Sequence, residues 1–470
     1  MATTVRNETA ASTSKSADPV RIALLGCGVV GTEVIRLITT QRVDLTARVG
    51  APLEIVGIAV SNLDRERDPV VDRELLTDDA ESLVTQADIV IELMGGTGRA
   101  NDLIHQAIDH GAAVVTANKE LLAKSSEQLE NAADAAGVDL YFEAAVAGTI
   151  PIIRPVRESL AGDKIERVLG IVNGTTNYVL DQMTKTNADF DEVVAEAQDL
   201  GYAEADPTAD IEGYDAAAKA AILASLAFHT KVTSADVSRQ GITEVTAEDV
   251  AWAQETNHVI KLLAIAERRA TNGGEAVSVR VHPALIPDTH PLATIDGAFN
   301  AVFIEAAAAG PLMFYGQGAG GVPTASAVLG DLVTAARHRL NGGKGPNRSD
   351  YSQIPVLPPG KVRTRFQMRL HVNDKRGVLA RVAQTLAENR ISIERVWQIP
   401  EPLDLTDQPE PLDAVDPLGS ISDQDEEEQP AVVVVTTHEA AEADLQRTIA
   451  TLKDLEVVSE VVSVLRVEGV

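Results

Sequence analysis

Several residue types are scarce in this chain of 470 residues, and each scarcity excludes a class of protein. The single cysteine, Cys27, can form no internal disulfide, which excludes a disulfide scaffold and indicates a reducing compartment. The nine histidines show no H-E-x-x-H spacing, so we expect no transition-metal site. Aromatic residues make up only 3% of the chain, which predicts cores built from Ala, Val, Leu and Ile.

Positive charge and long apolar runs are also scarce. The 40 Lys and Arg residues stand against 70 Asp and Glu residues, and the net charge of -30 opposes binding to nucleic acid or to an anionic membrane. No run of about 18 uncharged apolar residues is present, so we predict no transmembrane helix. Residues 1–19 lack an apolar segment and are predicted to be a disordered tail. We therefore expect a cytoplasmic protein of about two to four domains.

Short apolar segments alternate with helical patterns between residues 20 and 150. The intervening stretches carry apolar residues three or four positions apart, which is typical of amphipathic helices. This alternation predicts a doubly wound, Rossmann-type α/β domain with a parallel sheet. Its strands are predicted at 21–26, 54–60, 88–96, 112–119 and 139–146.

Residues 151–340 show a looser pattern, which predicts an α+β domain whose last helix is a candidate to pack back on the first domain. Segment 245–270 is predicted to be one long amphipathic helix. Residues 341–361 are crowded with Gly, Pro and Asn and are predicted to be a linker. Strands of a second sheet are predicted at 278–286, 301–306 and 310–316.

The C-terminal residues 362–470 are predicted to form a third domain. Their strands and helices follow the order βαββαβ, the split arrangement of ferredoxin-like folds. An insert at 400–430 separates the second strand from the third. Because this insert holds many Asp and Glu residues and no basic one, we predict a solvated, disordered loop.

A glycine-rich segment follows the first predicted strand and matches the pattern G-x-G-x-x-G. Glycines serve ordinary turns as well, but here a strand runs into the pattern and a helix opens from it. The glycines permit a tight turn, and a pyrophosphate can then approach the helix N-terminus, where free N–H groups favour negative charge. We therefore predict a dinucleotide site at Gly26, Gly28, Val29, Val30 and Gly31.

The residues after the second strand bear on the choice of dinucleotide. Ser61 and Asn62 offer no carboxylate for the ribose 2′-hydroxyl of NAD, whereas Arg65 and Arg67 favour the 2′-phosphate of NADP. Loop arginines are often merely solvated, so NAD stays possible. Cys27 lies in the pyrophosphate turn, too far from the nicotinamide for a thiolate nucleophile. This disfavours the oxidation of an aldehyde to an acyl-thioester. The interconversion of an alcohol and an aldehyde, which needs no thiolate, stays open.

One lysine, Lys219, stands alone in an apolar helical run, four residues after Asp215. An exposed ion pair would explain that spacing, but the helix is apolar nearly all round and should be buried. A buried lysine needs a partner, and such a pair can give a proton to a developing alkoxide. The acidic residues just upstream suit a substrate ammonium, although they could also form a solvated turn. Lys119 follows a buried strand and should face the ligand cleft.

Four segments resemble the homoserine dehydrogenase family. GYAEADPTADIEGYDAAAKAAILA, at 201–224, is similar to the family's signature, and the resemblance extends to NGTTNYVL at 173–180, TANKELLA at 116–123 and EAAVAGTIPII at 143–153. It runs from about residue 20 to residue 339 and implies the NAD(P)-dependent interconversion of L-aspartate 4-semialdehyde and L-homoserine, within threonine and methionine biosynthesis.

The same resemblance implies roles for single residues. Lys219 would transfer the proton with Asp215 as its partner, and Lys119 would lie near nicotinamide and substrate. Substrate contacts are implied at Glu204, Asp210, Gly174 and Thr175, and further cofactor contacts at Gly95 and Gly318. Backbone oxygens of a loop would hold a monovalent cation, sodium or potassium; they belong to Glu143, Val146, Gly148 and Ile150.

The C-terminal region resembles an ACT domain, the small regulatory fold that binds amino acids. This implies feedback inhibition by threonine, and the family implies a homodimer or a homotetramer. Two other readings stay open at this point. A related NADP-dependent reductase would ignore homoserine, and a non-catalytic nucleotide sensor would usually need a basic surface for nucleic acid, which the sequence does not show.

Overall fold

The structure is a computed structural model and describes residues 18–347, 352–373, 375–400 and 430–469. The predicted N-terminal tail and acidic insert lie almost entirely outside these residues. The chain divides into two compact units, Met1–Glu158 with Ala319–Ser349, and Ser159–Gly318 with Asp350–Val470. Among the helices of the described residues, none has the length and apolar surface that a membrane crossing needs.

The first unit contains a parallel sheet of six strands in the order β3-β2-β1-β4-β5-β6. This strand order is that of the Rossmann fold. The strands are β1 (Val20–Leu25), β2 (Leu53–Ala59), β3 (Leu76–Thr77), β4 (Ile89–Glu92), β5 (Ala113–Thr116) and β6 (Leu140–Tyr141). The helices are α1 (Val29–Thr40), α2 (Arg42–Val49), α3 (Ala80–Val84), α4 (Arg99–Asp109), α5 (Lys119–Ala136) and, later in the chain, α11 (Gly321–Asn341).

The core of this unit forms because its central strands are apolar on both faces. Every residue of β4 and β5 is buried, as a strand covered by helices on both sides requires. Val328 and Leu332 of α11 share one hydrophobic core with Val34 and Ile38 of α1. The glycine-rich segment is therefore held between a buried strand and a buried helix.

The second unit contains an eleven-stranded mixed sheet. Its main path runs β12-β11-β7-β9-β10-β17-β13-β15-β14. Strands of the middle region are β7 (Ile165–Ile171), β8 (Ser238–Arg239), β9 (His258–Thr271), β10 (Gly274–Pro287), β11 (Phe299–Ala306) and β12 (Gly310–Gln317). Its helices are α6 (Gly174–Thr186), α7 (Phe190–Asp199), α8 (Thr208–Ile211), α9 (Tyr214–Phe228) and α10 (Ala247–Glu255).

The predicted long helix at 245–270 is wrong in its second half. Helix α10 ends at Glu255, Asn257 takes a left-handed φ of 57°, and the chain continues as strand β9. Ala, Leu, Glu and Arg in this stretch favour helix locally. Tertiary pairing overrides that preference, because β9 forms a fourteen-residue antiparallel ladder with β10 and also pairs with β7.

The predicted strand at 139–146 is also wrong beyond Tyr141. A 3-10 turn at Glu143–Ala145 replaces it. The cause is the buried Glu143 carboxylate, which accepts hydrogen bonds from the backbone N–H groups of Ile152, Ile153 and Arg154 at 2.6, 2.7 and 3.0 Å.

The C-terminal elements belong to the second unit's sheet. They are β13 (Arg363–Asn373), α12 (Val378–Glu388), β14 (Ile393–Pro400), β15 (Pro430–Thr437), the two-residue β16 (Ala440–Ala441), α13 (Glu442–Lys453) and β17 (Val458–Val467). Strand β17 pairs in parallel with β10, through Arg466 and Val467 opposite Ala284 and Leu285. The third domain that the sequence predicts at 362–470 thus shares one sheet with the middle region.

Buried ion pairs accompany this junction. Glu468, just beyond β17, accepts from Arg280 at 2.8 Å and also forms an ion pair with Arg167 of β7. Arg280 contacts Glu267 of β9 as well. Burial opposes ionisation of Glu468, but the Arg280 and Arg167 guanidinium groups outweigh it and lower the pKa of this carboxyl. The end of β17 is thus bound to two strands of the middle region, β7 and β10, and through Arg280 it is linked to β9.

Glu468→Gln is expected to lower the free energy of unfolding by about 3–5 kcal/mol, because it removes one of the carboxylates that neutralise the buried Arg280 and Arg167 guanidinium groups and leaves both to share Glu267. The wild-type contribution is present above the unfolded-state pKa of about 4.3, and it is lost as pH falls through the lower folded-state value. Urea unfolding at several pH values measures both effects.

The control for this prediction is Glu460→Gln on the same strand. The Glu460 side chain is 64% exposed, so its loss should change the free energy of unfolding by less than about 0.5 kcal/mol. If the two variants have the same stability, the buried ion pairs do not stabilise this junction.

Candidate active site

The glycine loop between β1 and α1 adopts a conformation that side chains would not permit. Gly26 has a φ of 97°, and a Cβ at Gly31 would lie 2.4 Å from the carbonyl oxygen of Gly26. Helix α1 begins at Val29 with Gly28 as its N-cap and without a side-chain cap. Val29 is 74% exposed, and Val30 is half-buried. The first N–H groups of α1 are therefore available to an anion.

A cavity of about 390 Å³ lies beside this loop. Its polar lining includes Ser61, one acidic residue, Asp78, and the arginines Arg65, Arg67 and Arg99. Arg67 donates to the carbonyl oxygens of Cys27 at 2.8 Å and of Asn62 at 3.0 Å, which ties the loop after β2 to the glycine loop. Three guanidinium groups around one cavity suit a phosphorylated ligand.

The carboxyl ends of β4 and β5 supply the rest of this edge. The buried Glu92 carboxylate accepts from the N–H groups of Met94 and Gly95 at 2.8 and 3.1 Å and from the Thr116 hydroxyl at 2.7 Å. Gly95, which has a φ of 76°, lines the same cavity. Lys119 is exposed and is the first residue of α5. It follows β5, at the carboxyl end of the sheet whose first strand leads into the glycine loop.

The loop proposed for a monovalent cation lies at 143–150. Its Ala147 and Gly148 both have left-handed φ values, 55° and 58°. These values turn successive peptide groups out of the directions that they have in a helix or a strand. The ends of the loop are fixed by Asp331 of α11, which accepts from the Glu143 N–H at 2.8 Å and from Arg154 at 2.5 Å. Burial, reinforced by Glu143, raises the pKa of Asp331 to about 7.

Helix α9 in the second unit presents the lysine that the sequence singled out. Lys219 and Asp215 are 8% and 7% exposed, and Lys219 Nζ donates to Asp215 Oδ2 at 2.6 Å. A second bond of 2.7 Å runs from Lys219 Nζ to the carbonyl oxygen of Val172, just after β7. The helix starts at Gly213, whose φ of 78° favours glycine, and small alanines let it pack closely on the sheet.

The segment that joins β7 to α6 completes this cluster. Asn173 donates to Asp210 Oδ1 at 2.6 Å and to Asp215 Oδ2 at 3.0 Å. Thr175 Oγ1 donates to the carbonyl oxygen of Tyr202 at 2.7 Å and lies 3.4 Å from Asp210 Oδ2. Gly174 has no room for a side chain, since a Cβ would lie 2.7 Å from the carbonyl oxygen of Ala298.

The structure does not bring every predicted site residue of this unit into the cluster. Glu204 has an exposed side chain that takes no part in the hydrogen bonds described for the cluster. Gly318 directly follows β12, and a Cβ there would overlap the side chain of the buried Asn300. Lys219, Asp215, Asp210, Gly174 and Thr175 do lie within one network of hydrogen bonds and adjoining residues.

Sequence reasoning missed three residues that organise these sites. The role of Asn173 as a helix N-cap could have been found from the local sequence, because Asn is a favoured N-cap residue and stands directly before the helical segment. The sequence indicates the role of Glu92 more weakly: a buried carboxylate at the end of an apolar strand needs hydrogen-bond donors from the residues around it. The local sequence gives no indication of the role of Asp331, since its partners Glu143 and Arg154 are far away in sequence.

A Rossmann sheet with its glycine loop, and a buried lysine held by a carboxylate, define a nicotinamide-dependent oxidoreductase. Family models agree: the NAD binding domain of homoserine dehydrogenase matches residues 26–143, and the homoserine dehydrogenase model itself matches residues 151–333. The chain belongs to the homoserine dehydrogenase family.

Individual relatives are similar over almost the whole chain. A homoserine dehydrogenase of Mycobacterium tuberculosis strain H37Rv is 53% identical over 96% of this chain and 98% of its own length. The crystal structure of one from Thiobacillus denitrificans has a TM-score of 0.84 at 39% identity, covering 96% of this chain and 98% of that chain. A hyperthermophilic archaeal homoserine dehydrogenase in complex with NADPH has a TM-score of 0.58 at 27% identity, covering 70% and 99% of the two chains.

Gly31→Ala and Gly28→Ala should separate folding from cofactor binding. Alanine at 31 would clash with the Gly26 carbonyl oxygen and should cost about 1–3 kcal/mol of stability. Alanine at 28 would meet no protein atom within 4 Å, so the fold should be unchanged. Its methyl group would occupy the side that a pyrophosphate approaches, and the dinucleotide Kd should rise at least about tenfold, or 1.4 kcal/mol.

Thermal unfolding and calorimetric titration with NADPH measure these two effects. Wild-type affinity in Gly28→Ala would mean that the pyrophosphate does not approach the loop at that residue.

Proposed function

We propose that this oxidoreductase interconverts L-homoserine and L-aspartate 4-semialdehyde, with Lys219 as the group that moves the proton. The observation that carries the proposal is the buried Lys219 ammonium, held at 2.6 Å by Asp215 and at 2.7 Å by the Val172 carbonyl. An ammonium has three N–H donors, so this geometry uses two and leaves one for a substrate oxygen.

Proton transfer follows from that arrangement. In the reducing direction Lys219 donates its remaining proton as negative charge develops on the aldehyde oxygen, and Asp215 stabilises the cation until then. In the oxidising direction the neutral amine accepts the proton of the homoserine hydroxyl. Nicotinamide, when bound, supplies or accepts the hydride. General acid catalysis of this kind contributes about 10²- to 10⁴-fold to the rate.

The amino-acid end of the substrate has matching groups in the second unit. The N-terminus of the thirteen-residue helix α6 offers the N–H groups of Gly174 and Thr175 to the substrate carboxylate. Asp210 and Glu204 are the acidic groups for the substrate ammonium. Lys119, at the end of the first unit's sheet, is assigned to the nicotinamide and the substrate on the family's pattern.

NADP is the dinucleotide we propose to be preferred. The loop after β2 begins without an acidic residue at Ser61 and Asn62, and Arg65, Arg67 and Arg99 line the adjoining cavity. A 2′-phosphate pairs well with guanidinium groups, whereas NAD needs a carboxylate for its 2′-hydroxyl. The complex of the archaeal relative with NADPH supports the same choice.

The loop at 143–150 would hold a monovalent cation through the backbone oxygens of Glu143, Val146, Gly148 and Ile150. The left-handed pair Ala147 and Gly148 supports this, because carbonyl groups of such a backbone can face one point. Within the described residues no cluster of three or more His, Cys, Asp or Glu side chains could bind a metal ion, and the proposed site uses backbone carbonyl groups instead. The cation would order this loop.

The C-terminal region is proposed to be an ACT domain that binds threonine as a feedback inhibitor. Its βαββαβ order, apart from the short β16, supports this proposal. Its shared sheet with the middle region would let a bound effector influence β10 and β9. We also propose a cytoplasmic homodimer or homotetramer.

Lys219→Ala is expected to lower kcat for homoserine oxidation about a hundredfold or more while the protein stays folded, since it removes the general base. Production of NADPH and NADH at 340 nm measures the rate and the cofactor preference together. Lys185→Ala is the matched control: it breaks another i,i+4 lysine–aspartate pair, with Asp181 at 2.9 Å, but its side chain is 48% exposed.

The control should keep the wild-type rate. If Lys219→Ala also keeps the wild-type rate, a group other than Lys219 must transfer the proton. If the wild-type protein ignores homoserine with both cofactors, the proposed substrate is wrong.

Threonine at millimolar concentration is expected to lower the rate and to raise the thermal midpoint, because a ligand that binds only the folded state stabilises it. The same assay with added L-threonine, compared with D-threonine, measures this effect. If neither quantity changes, threonine is not the effector of this region.

A further inference from the structure

We propose that Asn173 is a positioning residue for this reaction: it holds Asp210 and Asp215 at their working distance and orients Asp215 toward Lys219. The inference rests on the proposed function and adds to it a residue that touches neither hydride nor proton.

The place of Asn173 in the chain suits such a role. It lies between the last residue of β7, Ile171, and the first residue of α6, Gly174, and it is only 5% exposed. The residue before it, Val172, supplies the carbonyl oxygen that binds Lys219 Nζ. Two consecutive residues at the end of one buried strand therefore hold both members of the lysine–aspartate pair.

The carboxamide of Asn173 has a defined orientation. Its Oδ1 accepts from the Thr176 N–H at 2.9 Å and lies 3.1 Å from the Thr176 hydroxyl, which makes Asn173 the N-cap of α6. Because the oxygen faces these donors, the amide nitrogen faces the other way, toward the acidic groups. Rotation of the carboxamide by 180° would place Nδ2 against an N–H and Oδ1 against two carboxylates.

The amide nitrogen bridges two like charges. One of its N–H groups donates to Asp210 Oδ1 at 2.6 Å and the other to Asp215 Oδ2 at 3.0 Å. Two carboxylates held this close repel each other, and one would tend to be protonated without donors between them. Asp215 Oδ2 is also the atom that accepts from Lys219, so Asn173 and Lys219 share one acceptor.

Helix capping alone does not account for this residue. Asp and Ser cap helices about as well as Asn. Asp offers no donor, however, and Ser offers a single one, whereas Asn combines one acceptor with two donors. The contacts of Asn173 use the acceptor and both donors. The bridge to Asp210 and Asp215 is thus the part of its role that requires an amide.

Asn173→Asp separates the two roles, since it keeps the cap and reverses the interaction with the carboxylates. A third negative charge beside Asp210 and Asp215 would favour the Lys219 ammonium over the amine. In homoserine oxidation the amine is the active form, so the acidic limb of the kcat profile should move to higher pH by about one unit. At pH 7 kcat should fall at least about tenfold.

The experiment compares wild type, Asn173→Asp, Asn173→Ser and Thr246→Ala by kcat and KM for homoserine from pH 6 to pH 10 and by thermal unfolding. Thr246 is the control for cap loss, because its side chain caps α10 through Asp249. Thr246→Ala should lower the thermal midpoint and leave the pH profile unchanged. Asn173→Asp should shift the pH profile, and it should do so at pH values at which the variant is still folded.

Asn173→Ser provides a second measurement if the aspartate variant does not fold. It keeps the cap and one donor, so kcat/KM should fall at least about fivefold at an unchanged thermal midpoint. The inference is overturned if Asn173→Asp keeps the wild-type kcat and pH profile, or if it does not fold and Asn173→Ser keeps the wild-type kcat/KM. A wild-type protein that does not oxidise homoserine instead overturns the proposed function.

Discussion

A charged amine buried in an apolar helix is the constraint on which the catalytic region depends. Removing an ammonium from water costs several kcal/mol unless fixed acceptors replace the water. Here the acceptors are the Asp215 carboxylate on the same helix and the Val172 carbonyl at the end of β7. Helix α9 and strand β7 must therefore keep their relative position, and the packing of α9 on the sheet to which β7 belongs maintains it.

In the first unit the group to be stabilised is an anion, the pyrophosphate of the dinucleotide. Backbone N–H groups at the start of α1 supply positive potential without a charged side chain, and glycines keep the approach clear. The Glu92 carboxylate binds the two N–H groups after β4 and thereby shapes the neighbouring loop. Rigid strands thus position the loops at their carboxyl ends, and those loops carry the chemistry.

The features that could be predicted from the sequence are local ones. The glycine loop is defined by six consecutive residues, and the Lys219–Asp215 pair lies within about one turn of helix. Residue spacing within a short segment therefore reveals both. The alternation of strands and helices in the first unit was confirmed for the same reason. Strand β9 was mistaken for helix because only its neighbours β7 and β10 make it a strand.

The contacts that could not be predicted join segments far apart in the chain. Asn173 binds Asp210, which follows it after two helices, α6 and α7, and Asp331 binds Glu143 from a helix much later in the sequence. No pattern within a short window encodes such pairs. The family resemblance supplied roles for Asp210 and Glu143, but it did not indicate which side chains hold them in place.

The parallel pairing of β10 with β17 also bears on how the protein forms in the cell. During synthesis β10 leaves the ribosome long before β17, and until β17 follows, one edge of the middle sheet has unpaired backbone groups and Arg280 lacks Glu468. Such an edge is prone to pair with another chain. The second unit therefore completes its sheet only after Val467 has been synthesised, whereas all six strands of the first unit's sheet are present once Tyr141 has been made.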